Sequence, residues 1–217
     1  QSFCWMTSGN WDDLPSDTKA SCKSPNVSVI NNDQYALVSH SLGSRITIDG
    51  MQRIASIFGN DAPQYLKIND ALKNKTIPIY MMSNQLPMLQ LGRKAPEVSG
   101  QKDRYCRVGG DKYSQRMLTK TPILAFSDPN DLLSYAIPPG FVEKYLDSRL
   151  CIDVTNININ VAFVYDVFGM GKLANPMEAH IGYDTDDRVI ALIAKGIGNK
   201  QTADIVNERC RWIETIE

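Results

Sequence analysis

A serine at an abrupt change of sequence pattern is the first group in this chain that could do chemistry. Ser41 lies in the segment VSHSLGSR, after a short apolar run at residues 35–38 and before apolar residues that recur at helical spacing. A serine hydroxyl on such a strand–turn–helix unit becomes a nucleophile when a nearby base removes its proton. The same position also suits a structural role, because serine is a common helix N-cap.

A base for this serine has few candidates, because the chain contains only 2 histidines, His40 and His180. His40 is the direct neighbour of Ser41, and its side chain is expected to diverge from that of the serine. If an imidazole activates Ser41, His180 must supply it. The pattern places His180 in a loop between the last predicted strand and a helix.

The segment VSHSLGSR resembles the nucleophile elbow of α/β hydrolases, G-x-S-x-G, with Ser39 in place of the first glycine. The resemblance extends over about residues 34–198. It implies an α/β fold with a mostly parallel sheet flanked by helices, Ser41 as nucleophile and His180 as catalytic base. The Leu42 N–H, at the start of the following helix, is then expected to form half of an oxyanion hole.

The resemblance also implies an acid in a strand-end loop, with the chain order Ser, Asp, His. The segment FSDPNDLLSY contains two candidates, Asp128 and Asp131. Asp131 is favoured because the family's acid commonly lies in a setting like Asn-Asp-Leu-Leu, whereas an aspartate before proline often only begins a turn. More remote alternatives are Asp153, Asp166 and Asp184.

The chain departs from the family at its front end. A full α/β hydrolase has several strands before the elbow, and the loop after an early strand donates the second oxyanion N–H. Residues 1–33 are too few and too polar to supply those strands. We therefore expect a second chain, or residues outside this sequence, to complete the sheet.

Strands alternate with helices along the remaining sequence. Beyond residues 35–38, apolar runs predict strands at residues 77–82, 121–126 and 157–164. Helical spacing predicts helices at residues 42–58, 141–150, 188–195 and 206–216. This alternation is typical of an α/β domain with a largely parallel sheet.

The other segments are predicted to be irregular. Residues 1–33 have at most one short strand, at 26–30, while residues 92–113 and 168–187 are predicted loops. We interpret residues 1–217 as a single domain whose α/β-hydrolase-like core spans residues 34–217.

The amino-acid composition of the chain limits the classes of ligand that it is expected to bind. A hydrophobic share of 43%, a charged share of 22% and a net charge of −1 are typical of a globular domain without affinity for nucleic acid. No apolar run is long enough to span a bilayer. No cofactor or metal site is predicted, because the aspartates at 184, 186 and 187 lack EF-hand spacing and fit a helix start better.

The 5 cysteines lack CxxC spacing, which leaves both disulfides and buried free thiols open. The presence of these cysteines slightly favours a secreted or periplasmic location. The expected function is hydrolysis of a small carboxylic ester through an acyl-enzyme on Ser41. The alternative is a catalytically silent protein of the same fold that binds a ligand or a partner.

Overall fold

Four parallel strands form the central sheet of the computed structural model, which describes residues 26–58, 65–166 and 172–196. Their order across the sheet is β1-β2-β3-β4. The strands are β1 Leu37–His40, β2 Ile79–Met82, β3 Thr121–Ser127 and β4 Ile152–Asn158. A separate antiparallel pair consists of β5 Val164–Asp166 and β6 Lys172–Ala174.

Helices connect the strands. The α-helices are α1 Val27–Asn32, α2 Gly43–Phe58, α3 Leu66–Leu72, α4 Lys102–Cys106, α5 Phe141–Tyr145, α6 Pro176–Ile181 and α7 Asp187–Lys195. Short 3₁₀ helices occupy Met88–Gln90, Tyr113–Gln115, Ser148–Leu150 and Gly182–Asp184. None of the helices in the described ranges has the length and apolar character required to cross a membrane.

Apolar side chains cover both faces of the sheet, as expected for parallel strands. Alternate residues of β2 separate the two cores, since Met81 belongs to one apolar cluster and Tyr80 to the other. The first cluster includes Ile48 of α2, and the second includes Val189 of α7. Helices therefore flank the sheet on both sides, which confirms the predicted α/β class.

The predicted short strand at residues 26–30 is wrong, because this segment forms α1. The side chain of Asn26 accepts hydrogen bonds from the N–H groups of Ser28 and Val29 and so caps the helix. This capping contact satisfies N–H groups that lack a partner within the helix. Ile30 on α1 is fully buried, so packing also favours the helix.

The fourth strand lies earlier than predicted. It was expected at residues 157–164, whereas β4 spans Ile152–Asn158 and pairs with β3 from Thr121↔Ile152 to Ser127↔Asn158. Only Ile152 of β4 is buried and four of its seven residues are exposed, so its polar residues obscured the strand in the sequence. Pairing with β3 over its full length determines the register.

The two predicted loops contain secondary structure. Residues 92–113 include α4, and residues 168–187 include β6, α6 and the start of α7. The predicted helix at 206–216 lies outside the described residues.

One disulfide joins two distant parts of the chain. Cys106 at the end of α4 is bonded to Cys151, just before β4, with their Cα atoms 5.4 Å apart and a sequence separation of 45. The bond ties the long connection between β2 and β3 to the sheet. Cys4, Cys22 and Cys210 lie outside the described residues.

We expect removal of this disulfide to destabilise the protein without abolishing its chemistry. The double substitution Cys106→Ser, Cys151→Ser should lower the free energy of unfolding by about 2–4 kcal/mol, because the unfolded chain regains the freedom of a long loop. Urea unfolding of both proteins, with and without dithiothreitol, measures this loss. Dithiothreitol should lower the unfolding midpoint of the native chain, and equal midpoints for the two proteins without reductant would contradict the prediction.

Candidate active site

The chain reverses sharply between β1 and α2, and Ser41 lies at this turn. Its φ of +56° is in the left-handed region, which costs a non-glycine residue about 1–2 kcal/mol. The Ser41 N–H donates to the Met82 carbonyl at 2.9 Å, which anchors the turn to the end of β2. Strain of this kind is typical of functional sites and presents the serine side chain above the sheet edge.

Small residues on both sides let the strand and the helix approach each other. A Cβ atom at Gly43 would lie 3.4 Å from the Cβ of Ser39, in van der Waals contact, so the strand and the helix pass close to each other here. The Ser39 hydroxyl also donates to the Tyr80 carbonyl at 3.3 Å. Serine therefore fits where the elbow pattern has its first glycine.

His180 contacts Ser41 directly. The distance from its Nε2 to Ser41 Oγ is 3.0 Å, within the range expected for a nucleophile and its base. The expected loop position is wrong, because His180 lies in α6, whose N-cap residue Asn175 accepts from the Met177 N–H. The helix provides a more rigid support for the imidazole than a loop would.

Asp131 lies on the other side of the imidazole. His180 Nδ1 is 3.1 Å from Asp131 Oδ1 and 3.0 Å from Oδ2. The Asp131 side chain is only 1% exposed, compared with 17% for His180. The structure thus brings Ser41, His180 and Asp131 together in the order required for a relay of hydrogen bonds.

Asp131 is held as a carboxylate despite its burial. Desolvation raises the pKa of its side chain, but hydrogen bonds from Ser83, the Leu133 N–H and His180 outweigh this effect and lower the pKa below its ordinary value. Donors to a carboxylate stabilise the charged form. Asp131 is therefore ionised at neutral pH and can pair with a protonated imidazole.

Asp128, the alternative acid, has a different role. Its Oδ2 accepts from the N–H groups of Val161 and Ala162, at 2.7 and 3.2 Å, and its Oδ1 accepts from Asn130. These contacts join the loop after β3 to the segment after β4. The structure does not bring Asp128 to His180.

Two further residues contact His180, namely Ser83, which the sequence did not single out, and His40, the histidine that was set aside as the base. The Ser83 hydroxyl lies 2.8 Å from His180 Nδ1, and His40 Nε2 donates to the His180 carbonyl at 2.7 Å. The hydrogen bond from His40 links the elbow to α6. The sequence signal for Ser83 is its place directly after β2, since residues that follow parallel strands gather at one edge of the sheet.

The Leu42 N–H is available for a developing negative charge. It follows Ser41 at the start of α2 and donates to no acceptor in the described part of the chain. Free N–H groups at a helix start favour anions. The second oxyanion donor is not assigned within residues 26–58, 65–166 and 172–196.

The acidic segment near α7 is a helix start. The Asp186 side chain accepts from the N–H groups of Arg188 and Val189 and pairs with the Arg188 guanidinium. The described residues contain no cluster of histidine, cysteine or acidic side chains that could hold a metal ion.

Comparisons with protein-family models, curated proteins and solved structures find no match to this chain. Any assignment of function therefore rests on the chemistry of the site.

Proposed function

We propose that this chain is a serine hydrolase of the α/β-hydrolase type that cleaves carboxylic esters through an acyl-enzyme. The observation that carries the proposal is the 3.0 Å contact between Ser41 Oγ and His180 Nε2, with the opposite ring nitrogen held by Asp131. A carboxylate, an imidazole and a serine hydroxyl in this order make a nucleophile without any cofactor.

In the proposed reaction, Ser41 Oγ attacks the ester carbonyl carbon while His180 Nε2 takes the hydroxyl proton. The resulting oxyanion is stabilised by the Leu42 N–H. When the tetrahedral intermediate collapses, the bond to the alcohol oxygen breaks and His180 returns the proton to the leaving alcohol. Water then releases the acid by the same steps, and Asp131 stabilises the imidazolium throughout.

Exposed apolar side chains next to the triad favour an apolar substrate. Leu42 directly follows Ser41 in the sequence, and Ile181 directly follows His180. Leu42 is 53% exposed and Ile181 is 54% exposed. Exposed apolar residues that border a surface site commonly contact an apolar ligand. We therefore propose esters with an apolar acyl group.

Labelling with a fluorophosphonate tests the proposed function. The reagent should bond covalently to Ser41, located by mass spectrometry of the peptide, and the protein should hydrolyse p-nitrophenyl esters. Ser41→Ala should abolish labelling, whereas Ser28→Ala, which changes an exposed serine on α1, should not. A native protein that neither reacts nor hydrolyses esters would support the silent ligand-binding alternative.

A further part of the proposal concerns the outer edge of β1. Leu37 and Ser41 donate their N–H groups to the β2 side, so the backbone groups of Val38 and His40 point to the opposite side. Within the described ranges β1 pairs only with β2. A free edge with an apolar residue is a template for another strand, and Val38 is 54% exposed.

We propose that a strand from a second chain, or from residues outside this sequence, pairs with this edge and donates the second oxyanion N–H. The active species is then expected to be larger than a 24.2 kDa monomer. Size-exclusion chromatography with light scattering, intact mass and esterase assays on the same fractions measure this. Full activity in a 24.2 kDa monomer would refute the proposal and require the donor to come from residues 1–33.

Substitution of Val38 tests directly whether another strand pairs with the outer edge of β1. Because the Val38 N–H points away from β2, Val38→Pro removes an outward donor while leaving the pairing between β1 and β2 in place. Val38→Thr retains the N–H and is the matched control. Val38→Pro should reduce both the larger species and the activity, and Val38→Thr should change neither.

A further inference from the structure

Two neighbouring strands end in serines with the same unusual backbone conformation. The register pairs His40 with Met82, so Ser41 and Ser83 directly follow aligned positions on β1 and β2. Their φ angles are +56° and +48°. The turn that presents Ser41 to one ring nitrogen of His180 therefore has a counterpart that presents Ser83 to the other.

The hydroxyl of Ser83 is placed between the acid and the base. Its Oγ lies 2.6 Å from Asp131 Oδ2 and 2.8 Å from His180 Nδ1, and Ser83 is fully buried. A hydroxyl has one proton to donate, and an ionised carboxylate can only accept. Ser83 therefore donates to Asp131 and presents a lone pair to Nδ1.

This arrangement selects one tautomer of His180. A lone pair of Ser83 and a carboxylate oxygen of Asp131 both face Nδ1, so Nδ1 must carry a proton. In the neutral imidazole, Nε2 is then the acceptor that faces Ser41. Only this tautomer can take a proton from the Ser41 hydroxyl.

The residue after Ser83 is held by three hydrogen bonds. Asn84 donates its N–H to the Phe126 carbonyl at 3.0 Å, and it exchanges two further hydrogen bonds with the backbone of Tyr135. Since Tyr135 follows Asp131 in the same loop, these contacts keep the Ser83 turn at a constant distance from the acid. The position of the hydroxyl is thus determined by the surrounding backbone.

We propose that Ser83 is a positioning residue of the site, which holds the productive tautomer of His180 and the carboxylate of Asp131. This inference rests on the proposed function, since it assigns Ser83 a part in the same reaction. The Ser83 hydroxyl is hydrogen-bonded to Asp131 and His180, and it acts through these two residues.

Two substitutions separate the effect of the Ser83 hydroxyl on catalysis from the effect of its backbone conformation. Ser83→Ala removes the hydroxyl and keeps a strained φ, whereas Ser83→Gly removes the hydroxyl and suits a positive φ. Both should lower kcat by about 10- to 100-fold, the range expected for loss of a hydrogen bond to a charged group, with little change in KM. Ser127→Ala, another buried serine at a strand end, is the matched control and should retain the native kcat.

A double-mutant cycle distinguishes positioning from general stability. If Ser83 acts only through Asp131 and His180, adding Ser83→Gly to Asp131→Ala should cause little further loss of kcat. Independent losses that multiply, or a Ser83→Gly protein with native kcat, would overturn the inference while leaving the hydrolase function in place.

An NMR measurement tests the same inference without catalysis. The proton on His180 Nδ1 should give a low-field resonance in the native protein, and Ser83→Gly should shift or broaden it because one acceptor is lost. An unchanged resonance would overturn the inference even in a protein that hydrolyses nothing. Failure of the proposed function is recognised separately, as absence of fluorophosphonate labelling in the native chain.

Discussion

Replacing Ser41 with alanine is expected to lower kcat for ester hydrolysis by up to about 10⁶-fold, as for the nucleophile of other serine triads. His180→Ala should cause a loss of similar size, because the hydroxyl is unreactive without its base. The double substitution should be no worse than either single one, since the two residues act as a unit. Initial rates on a p-nitrophenyl ester measure all three losses.

Unfolding curves provide the control for these substitutions. The substitution removes a single hydroxyl at a turn that stays strained with alanine. The free energy of unfolding should therefore stay within about 1 kcal/mol of the native value. A folded Ser41→Ala protein with native activity would remove Ser41 from the mechanism. A large loss with His180→Ala but not with Ser41→Ala would indicate another nucleophile.

Asp131→Asn is expected to reduce kcat by up to about 10⁴-fold. The side-chain amide can donate to Nδ1, which would favour the tautomer whose Nε2 carries a proton and cannot act as a base. Asparagine also removes the negative charge that stabilises the imidazolium. KM should change much less than kcat, and steady-state kinetics at neutral pH separate the two.

Asp128→Asn is the matched control, since it makes the same chemical change three positions earlier. Asp128 accepts hydrogen bonds from the Val161 and Ala162 N–H groups, and a neutral amide oxygen is a weaker acceptor. We expect a loss of about 1–3 kcal/mol in the free energy of unfolding with kcat largely retained. A large loss of kcat with Asp128→Asn and a mild one with Asp131→Asn would reverse the assignment of the acid.

Features encoded by contiguous residues were predictable from the sequence. The turn and the helix α2 were predicted from an apolar run at residues 35–38, the small residues Ser39, Ser41 and Gly43, and apolar residues at helical spacing over residues 42–58. The structure confirms a strand, a turn and a helix there. The helix α7 was predicted for the same reason. Local spacing determines such elements because each residue interacts mainly with near neighbours in the chain.

The partners of Ser41 were predicted by a different argument. The scarcity of histidines pointed to His180, and the resemblance to a known chain order pointed to Asp131 ahead of Asp128. Asp131 follows β3, and the C-terminal ends of parallel strands meet at one edge, so the acid could reach the site of Ser41. His180 reaches Ser41 from helix α6 instead. Their catalytic roles remain predictions.

Only the tertiary structure determined which residues surround the imidazole. Ser83 lies 48 residues from Asp131 and 97 from His180 in the sequence. It meets both because β2 pairs with β1 on one side and with β3 on the other, each in one particular register. Shifting that register by one residue would turn the Ser83 side chain to the opposite face of the sheet.

The position of β4 and the bond between Cys106 and Cys151 depend on the same kind of long-range pairing. The polar residues of β4 carry little strand signal until they align with β3, and the two cysteines meet only after that alignment. A sequence pattern reports which side chains can be buried together. The register between strands, which the whole core selects, decides which of them touch.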